Sequence, residues 1–303
     1  MAGVIPRLEL IQDGDAVKIK GTNMSATFSR VMGMLTSLNF SGHEILATNK
    51  LSGPILQLYR APTDNDKGFG KWLARDWRDA GLTNLIRHMD SFDVSEEASS
   101  AEFKITTVST STVTNGSYHL TTIWTIHGDG TVDMDNIFTP SGSLPLLPRI
   151  GVVMQLAKDF KNVCWYGRGP WENYPDRKDG ADMGVWRSTV DEQYVPYIRP
   201  QENANKEDLR WLTLADKNGN GLKISAKGDP FSFSALHYTA GDLASVRHNY
   251  ELTARPEIIL SLDARECGLG NSSCGPGVLD CYAVPPRGYF LKLRFSGIGL
   301  DHN

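Results

Sequence analysis

The side chains best suited to chemistry are concentrated in residues 165–205, where aromatic residues occur together with carboxylates and amides. Two segments there share the pattern Pro-x-Glu-Asn: P-W-E-N at 170–173 and P-Q-E-N at 200–203. Such a mixture suits a sugar, whose C–H face stacks on an aromatic ring while its hydroxyls hydrogen-bond to polar groups. The stretch is either a sugar-binding surface or a lid that seals a core. The repeated pattern is either chance or a pair of adjacent loops.

Three carboxylates in this stretch, Glu172, Asp176 and Glu202, are candidates for acid–base chemistry. Retaining glycoside cleavage needs two carboxyl groups about 5 Å apart, and sequence spacing alone does not establish such a pair. A serine triad has no support because the pattern G-x-S-x-G is absent. His237 and His248 flank a predicted short helix, and we interpret them as structural residues, with catalysis as the alternative.

Two further loops carry polar residues. Asp64, Asn65 and Asp66 resemble the start of a calcium loop, but Arg75 occupies the position of its closing glutamate. We therefore predict a hydrogen-bonded turn ahead of a helix, since Asp and Asn commonly bond to local backbone groups. Residues 268–277 are mostly small and predict an exposed loop, which either only forms a rim or approaches a ligand closely.

The four cysteines do not have the spacing of a zinc site. Cys267, Cys274 and Cys281 are seven residues apart, whereas zinc sites usually contain pairs two to four residues apart. We interpret all four, including Cys164, as free thiols, and a Cys267–Cys281 disulfide is the alternative.

Size and charge limit the possible functions. The chain has 303 residues and a net charge of −4, so no basic field for nucleic acid or an anionic membrane is expected. No window reaches the roughly 18 apolar residues of a membrane span, and the N-terminus has no apolar signal core. We therefore expect the chain as given to be soluble. We predict one domain over residues 8–300, preceded by a loose segment, 1–7.

Short runs with alternating apolar and polar residues dominate the chain and predict β-strands. The predicted strands are 16–20, 25–29, 55–60, 102–108, 117–126, 131–138, 149–156, 163–166, 183–187, 209–215, 221–225, 231–236, 257–263 and 289–295. Turn signals at 115–116, 128–130 and 218–221 favour antiparallel pairing. Two short helices are predicted, at 70–80 and 239–247, the second opened by a Thr239–Asp242 capping box. The result is an all-β chain with packed antiparallel sheets.

Four motifs occur in a specific order along the chain. They are R-A-P-T-D-N-D at 60–66, G-x-G-P-x-E-N-Y-P-D-R at 167–177, Y-x-x-P-x-E-N at 197–203, and G-L-G with S-C-G-P at 268–276. In this order they resemble the C-terminal, or small-chain, domain of β-galactosidases of glycoside hydrolase family 2. The resemblance spans nearly the whole chain, and it implies a large antiparallel β supersandwich, similar to galactose mutarotase-like folds.

The resemblance also implies what the chain lacks. In the family the catalytic glutamates sit in a separate TIM barrel, which needs about 250 residues of alternating strand and helix. This chain has no such alternation, so no catalytic residue is assigned to it. The implied partner is a β-galactosidase barrel domain or large subunit, and the implied substrate of the whole enzyme is a terminal β-galactoside, hydrolysed with retention. Magnesium and sodium are expected, if at all, in the full enzyme, which we expect to be oligomeric; no cofactor is expected in this chain.

The candidate substrate-binding residues lie in the same motifs. In the family the late loop reaches the sugar pocket, in some members with a tryptophan, and Cys274 stands at that position here. A thiol does not replace the stacking surface of an indole. The candidate residues are Trp171, Glu172, Asn173, Glu202, Asn203, Ser273, Cys274 and Gly275.

Two alternative functions remain open from the residues. The first is a stand-alone carbohydrate-binding module that uses Trp165, Tyr166, Trp171 and Trp186. The second is a mutarotase- or epimerase-like enzyme that uses His237 or a loop carboxylate as acid or base.

Overall fold

The computed structural model describes residues 6–49, 51–68, 72–97 and 99–299. Most of the predicted loose segment, the beginning of the first predicted helix and residue 300 of the predicted domain lie outside these residues. The strands described are β1 (Glu9–Asp13), β2 (Ala16–Lys20), β3 (Met24–Ser29), β4 (Met34–Phe40), β5 (His43–Glu44), β6 (Ile55–Gln57), β7 (Ile86–Glu96), β8 (Ser100–Thr110), β9 (Ser117–His127), β10 (Val132–Ser141), β11 (Arg149–Leu156), β12 (Asn162–Gly169), β13 (Asp182–Thr189), β14 (Lys206–Leu209), β15 (Trp211–Ala215), β16 (Gly221–Ala226), β17 (Phe231–Leu236), β18 (Ile258–Glu266) and β19 (Tyr289–Ile298). The helices described are α1 (Leu73–Asp79), α2 (Val190–Gln193) and α3 (Ala240–Ser245).

Within the described residues the strands form three antiparallel sheets, which confirms the predicted all-β class. The first is a five-stranded meander in the order β1-β2-β3-β4-β5. The second has nine strands in the order β13-β12-β15-β16-β19-β10-β9-β8-β7, and the third has five strands in the order β14-β17-β18-β11-β6.

One face of the nine-stranded sheet forms much of the core. The cross-strand register places Trp165 opposite Leu212, Leu212 opposite Ile224, and Ile224 opposite Phe295, so all four point to the same side. All four are fully buried. The alternation of buried and half-buried residues along β9 has the same cause, because every second side chain faces this core.

The two smaller sheets cover this face. Phe28 on β3 stacks on Phe103 of β8 with ring centroids 4.1 Å apart. At the other end of the large sheet, Trp165 meets Phe233 of β17 edge-on at 5.8 Å. Because aromatic rings bury large apolar areas, these contacts fix both smaller sheets against the large one.

Most predicted strands are present with small changes at their ends, and three correspond to observed strands residue for residue: β2, β11 and β17. The predicted strand 209–215 is wrong as one element, because it divides at Arg210 into β14 and β15, which belong to different sheets. The predicted strand 55–60 ends at Gln57. Strands β1, β4, β5 and β7 were not predicted.

The three turn signals each connect neighbouring antiparallel strands, as predicted. The Thr239–Asp242 capping box is present at the start of α3. α1 begins at Leu73, and Gly81 follows it with a φ of 71°, a conformation that glycine adopts without strain. α2, which also carries a capping box, is an addition to the two predicted helices.

Candidate functional site

Four loops that carry the sequence motifs meet on one surface, which we call the loop face and define by residues 63–68, 170–177, 194–205 and 267–277. The second loop follows β12 and the fourth follows β18, while the third leads into β14. Hydrogen bonds join each loop to two of the others, so the four form a closed ring. The nine-stranded sheet and the third sheet support these loops, and the hydrogen bonds between the loops bring all four motifs together.

Glu172 joins the second and third loops. The backbone N–H of Ala204 donates to Glu172 Oε2 at 2.7 Å, and the Tyr197 hydroxyl donates to Oε1. Burial and the contact with Glu172 raise the pKa of Tyr197, so the phenol stays a donor. Ala204 itself has a φ of 71°, unusual for a residue with a side chain.

The loops that carry the two Glu-Asn segments are adjacent, as one interpretation of their shared pattern expected, and the first segment bonds to Ala204 and Asn205, which directly follow the second. The Asn173 backbone N–H donates to the Asn205 carbonyl at 2.8 Å, and Asn205 Nδ2 donates to the Asn173 carbonyl at 2.8 Å. Asn203 accepts from the Val195 N–H at 3.1 Å. Asn173 and Asn203 are each 1% exposed. Their amides therefore hold the loops in place.

Asp176 joins the second loop to the fourth. The backbone N–H groups of Leu269 and Gly270 donate to its carboxylate at 2.9 and 2.8 Å. Arg177 Nη2 donates to the Gly270 carbonyl at 2.6 Å. The close approach depends on Gly268, where an added Cβ would lie 2.8 Å from the Asp176 carboxyl carbon.

The first loop joins the fourth and the third. Asn65 Nδ2 donates to the Gly270 carbonyl at 2.8 Å, and the Asp64 N–H donates to Gln201 Oε1 at 3.1 Å. Asp66 accepts from the Thr63 N–H at 2.8 Å, so these residues form the predicted hydrogen-bonded turn ahead of α1.

A buried ionic cluster lies beneath the loop face. Arg149 contacts Asp263, contacts Glu202 at 3.3 Å and lies 3.7 Å from Glu266. Arg60 lies 3.6 Å from the same Glu266. All five side chains are no more than 5% exposed. Sequence analysis did not single out this cluster, apart from Glu202 and the motif that contains Arg60.

Arg60 extends the cluster to the first and fourth loops. It donates to Asp66 through Nε and Nη2, at 3.2 and 2.8 Å. It also donates to the carbonyl oxygens of Cys267 and Gly268. Because Asp66 belongs to the first loop and Cys267 begins the fourth, the Arg60 guanidinium holds both loops in position.

The cluster contains more acid than base. Asp66, Glu202, Asp263 and Glu266 surround only two arginines, and neither carboxylate oxygen of Glu266 has a hydrogen-bond partner among the described residues. Burial raises the pKa of Glu266 well above its ordinary value, against the opposing effect of Arg149. Burial also raises the pKa of Glu202. Burial therefore favours the protonated forms of these two carboxyl groups.

Lys206, at the start of β14, was also missed. Its Nζ donates to Gln193 and to the Ala204 carbonyl at 2.9 Å, and lies 5.5 Å from the centre of a Trp165 ring. Burial lowers its pKa to about 7. The polar sequence N-A-N-K-E-D gave no signal that this lysine is buried.

Other groups on the loop face are open to solvent. Trp171 is 76% exposed and Ile198 is 94% exposed, while Tyr197 is 39% exposed. Cys274 is exposed with its neighbours Ser273 and Gly275. Of the predicted substrate-binding residues, Asn173, Glu202 and Asn203 are buried and Glu172 is half-buried. The other four are exposed: Trp171, Ser273, Cys274 and Gly275.

The histidines considered as acid–base residues take part in none of the contacts described for the loop face. His237 is 8% exposed, with Nδ1 3.0 Å from the Glu257 carbonyl and Nε2 3.2 Å from Asp191. His248 stacks on Tyr250 with ring centroids 5.2 Å apart.

All four cysteines are free thiols, so the alternative of a Cys267–Cys281 disulfide is wrong. Cys267 is buried, and burial raises its pKa to about 11. It is therefore a thiol rather than a reactive thiolate at neutral pH.

Among the residues described, no group of three or more His, Cys, Asp or Glu side chains is placed to hold a metal ion. The helices of that same part of the chain are all too short to cross a lipid bilayer.

Comparison with known proteins gives a consistent pattern. A family model described as "Beta galactosidase small chain" matches residues 20–295. A β-galactosidase of Priestia megaterium is 34% identical over 268 residues, covering 88% of this chain and 25% of the relative. One of Lactobacillus delbrueckii subsp. bulgaricus is 33% identical over 274 residues, covering 90% of this chain and 26% of the relative. The chain thus spans about a quarter of the length of the curated relatives it matches.

A solved structure supports the fold. The galactose 1-epimerase from Lactobacillus acidophilus aligns with a TM-score of 0.50 and 10% sequence identity, covering 97% of this chain and 99% of that one. At this identity the likeness shows the fold alone, in agreement with the predicted galactose mutarotase-like supersandwich.

Proposed function

Since the chain belongs to the β-galactosidase small-chain family, we propose that it forms one wall of the galactoside pocket in a larger β-galactosidase and carries none of the catalytic carboxylates. The observation that supports this is the closed ring of four motif loops. They are far apart in sequence, yet hydrogen bonds hold them as one surface.

The carboxylates of the loop face support a role in positioning rather than in bond cleavage. Glu172 accepts hydrogen bonds from Ala204 and Tyr197, and Glu202 is buried against Arg149. Retaining hydrolysis needs a nucleophile and an acid that both reach the sugar. In our proposal these two groups come from the part of the enzyme outside this chain.

The exposed apolar groups support docking. Ile198 and Trp171 are 94% and 76% exposed on the loop face, and large exposed apolar groups next to polar ones are typical of contact surfaces. We propose that the catalytic region of the enzyme packs against them. Ser273, Cys274 and Gly275 would then lie at the edge of the pocket, where the backbone of the loop can approach a sugar.

The whole enzyme would hydrolyse terminal β-galactosides with retention, as an oligomer. Magnesium and sodium, if required, would be held mainly by the catalytic region, and no step of this proposal depends on either ion.

Complementation tests the proposal. The relative from Lactobacillus delbrueckii would be produced without the segment that this chain matches, and the two proteins would be mixed with o-nitrophenyl β-galactoside. We expect each to be inactive alone and the mixture to be active. A purified chain that hydrolyses the substrate unaided, with the activity lost in Glu172→Gln, would contradict the proposal.

Two further measurements separate the alternatives. Polarimetry on fresh α-galactose should show no acceleration of mutarotation by the chain. Calorimetry should show no saturable binding of galactose to the isolated chain, since one wall alone leaves most of the sugar in water. Accelerated mutarotation would favour an epimerase-like enzyme, and binding abolished by Trp171→Ala would favour a stand-alone binding module.

A further inference from the structure

A cavity of about 980 Å³ lies between the start of β17 and the end of β18 on one side and the start of β19 on the other. Its inner wall includes Phe231 and Leu291, which are 2% and 4% exposed, and Phe290 at its rim is 64% exposed. Of the loop face, only Pro175 lines it. Its volume is near the upper end of the range of small-molecule sites, about 300–1,000 Å³.

Two of the lysines that line the cavity are neutralised by acids. Lys178 contacts Asp208 at 2.8 Å, and Lys227 contacts Asp133 at 2.9 Å. Such paired lysines contribute little positive potential to a ligand, because each charge is already balanced.

Three other cations of the wall, Arg265, Arg287 and Lys292, form no ion pair within the described part of the chain. Asp229 is the one acid of the wall that is likewise unpaired there. The unpaired groups therefore leave the cavity with a positive excess. All three cations are exposed, so the charge is available to a molecule entering from solvent.

One of the two arginines, Arg287, lies against Tyr289, which also lines the cavity. The Arg287 guanidinium carbon lies 5.5 Å from the centre of its ring. Burial raises the pKa of Tyr289, and the positive charges of Arg287 and Arg265 oppose the increase. The Tyr289 hydroxyl donates to the Pro285 carbonyl at 2.9 Å, which holds the ring in the cavity wall. Both arginines line the same cavity, and guanidinium groups suit a phosphate or carboxylate, which they can bind with several N–H donors.

We propose that this cavity binds a small anionic ligand, a sugar phosphate or sugar acid in size and chemistry, with its anionic group at Arg265, Arg287 and Lys292 and its ring against Phe290. A neutral sugar would leave the three cations unused. A macromolecular partner is disfavoured because protein interfaces are broad surfaces, whereas these groups line a recess. The site is separate from the proposed galactoside wall, since neither Glu172 nor Glu202 lines it.

Calorimetry on the 303-residue chain tests the proposal with four probes: glucose 6-phosphate, glucuronate, inorganic phosphate and glucose. We expect saturable binding of glucose 6-phosphate or glucuronate, with the two probes distinguishing phosphate from carboxylate. Binding of glucose should be undetectable, and inorganic phosphate should bind at least tenfold more weakly than the better sugar. Added salt should weaken binding, because the attraction is between charges.

The variant R265Q/R287Q should weaken binding at least tenfold, since it removes two charged donors, and hydrogen bonds between charged groups are stronger than neutral ones. Lys104→Gln is the matched control, because Lys104 is an exposed cation of the same sheet, on β8, that does not line the cavity. It should bind as tightly as the parent. Lys292→Gln, at an exposed position, serves as a second variant if the double variant does not fold, and it should weaken binding several-fold.

The proposal fails if neither anionic sugar binds, or if glucose or inorganic phosphate binds as tightly as the better anionic sugar. It also fails if Lys104→Gln weakens binding as much as R265Q/R287Q. Binding of a polyglutamate peptide without binding of either anionic sugar would indicate a protein partner instead, and would equally overturn it.

Discussion

Asn65 and Ser273 are 208 residues apart in the chain, yet the Ser273 hydroxyl donates to Asn65 Oδ1 at 2.6 Å. The Ser273 N–H donates to the same oxygen at 3.2 Å. This pair links the turn ahead of α1 directly to the residue before Cys274. The position of the exposed Cys274 loop is therefore set by the first loop of the ring as well as by β18.

Removing this pair should loosen the late loop without unfolding the protein. In Asn65→Ala the loop loses three hydrogen bonds, each contributing about 0.5–1.5 kcal/mol. We expect faster alkylation of Cys274 in the variant, measured by peptide mass spectrometry. Cys281 is an internal control, because it is exposed but lies outside the loop face. An unchanged Cys274 rate would show that Asn65 does not hold the loop.

A methyl group added at Gly68 should destabilise the folded protein. A Cβ added there would lie 2.0 Å from the Ser272 carbonyl oxygen, so the first and fourth loops could not approach as they do. We expect Gly68→Ala to lower the free energy of unfolding by about 1–3 kcal/mol, measured by urea denaturation. Gly180→Ala is the control, since a Cβ there meets no heavy atom within 4 Å. Equal stability of the two variants would contradict the close approach of these loops.

The buried cluster should depend strongly on Arg149. In Arg149→Met the carboxylates of Glu202, Asp263 and Glu266 lose their shared cation, and breaking a buried pair typically costs about 3–5 kcal/mol. Chemical denaturation measures the loss. The control is Arg78→Met, whose ion pair with Asp79 involves side chains that are 67% and 59% exposed. That variant should lose less than about 1 kcal/mol. A comparable loss of stability in both variants would show that the buried ion pairs stabilise the fold no more than an exposed pair does.

The cluster also predicts a dependence of stability on pH. Burial raises the pKa of Glu266 above its ordinary value of 4.5, so in the folded state the proton is retained to higher pH than in the unfolded state. The stabilisation from this group is complete below pH 4.5 and is lost as pH rises through the folded-state pKa. Glu266→Gln cannot ionise and should avoid this loss.

Urea denaturation at several pH values checks this prediction. Relative to the parent, Glu266→Gln should gain stability as the pH increases from about 4 to 8. Glu97→Gln, at an exposed position, is a control that should show no such trend. A difference between Glu266→Gln and the parent that does not change with pH would contradict the raised pKa.

The fold features that could be predicted from the sequence are those that depend on local patterns of residues. Asn115-Gly116 marks a hairpin because turn residues of this type lie between alternating strands, and it is one in the structure. Strand β7 was missed because it is an edge strand whose exposed polar residues obscure the alternation. The break at Arg210 was missed because it depends on tertiary pairing. Leu209 pairs with Phe231 in the third sheet. The Arg210 N–H instead donates to the Tyr166 carbonyl and its own carbonyl accepts from Ala226, both in the nine-stranded sheet.

For the candidate site, the motifs identified the four loops but not the residues that each loop contacts. The twofold Glu-Asn pattern correctly indicated adjacent loops as one of two interpretations. The sequence could not show that Asn173 and Asn203 are buried, or that Arg149 meets Asp263 across 114 residues. Such pairs are products of tertiary packing, and neither spacing nor composition encodes them.

The most direct test of the account is how strongly the chain associates with the catalytic region of a β-galactosidase, measured as the concentration that gives half-maximal activity in the complementation assay. Ile198→Asp places a charge on a residue of the loop face that is 94% exposed, and Val31→Asp makes the same change at a 76% exposed position outside it. We predict that Ile198→Asp raises this concentration at least tenfold and that Val31→Asp leaves it within twofold of the parent, as expected for a buried interface residue and a distant one. Equal behaviour of the two variants, or no complementation by the parent chain, would contradict the claim that the loop face completes a larger enzyme.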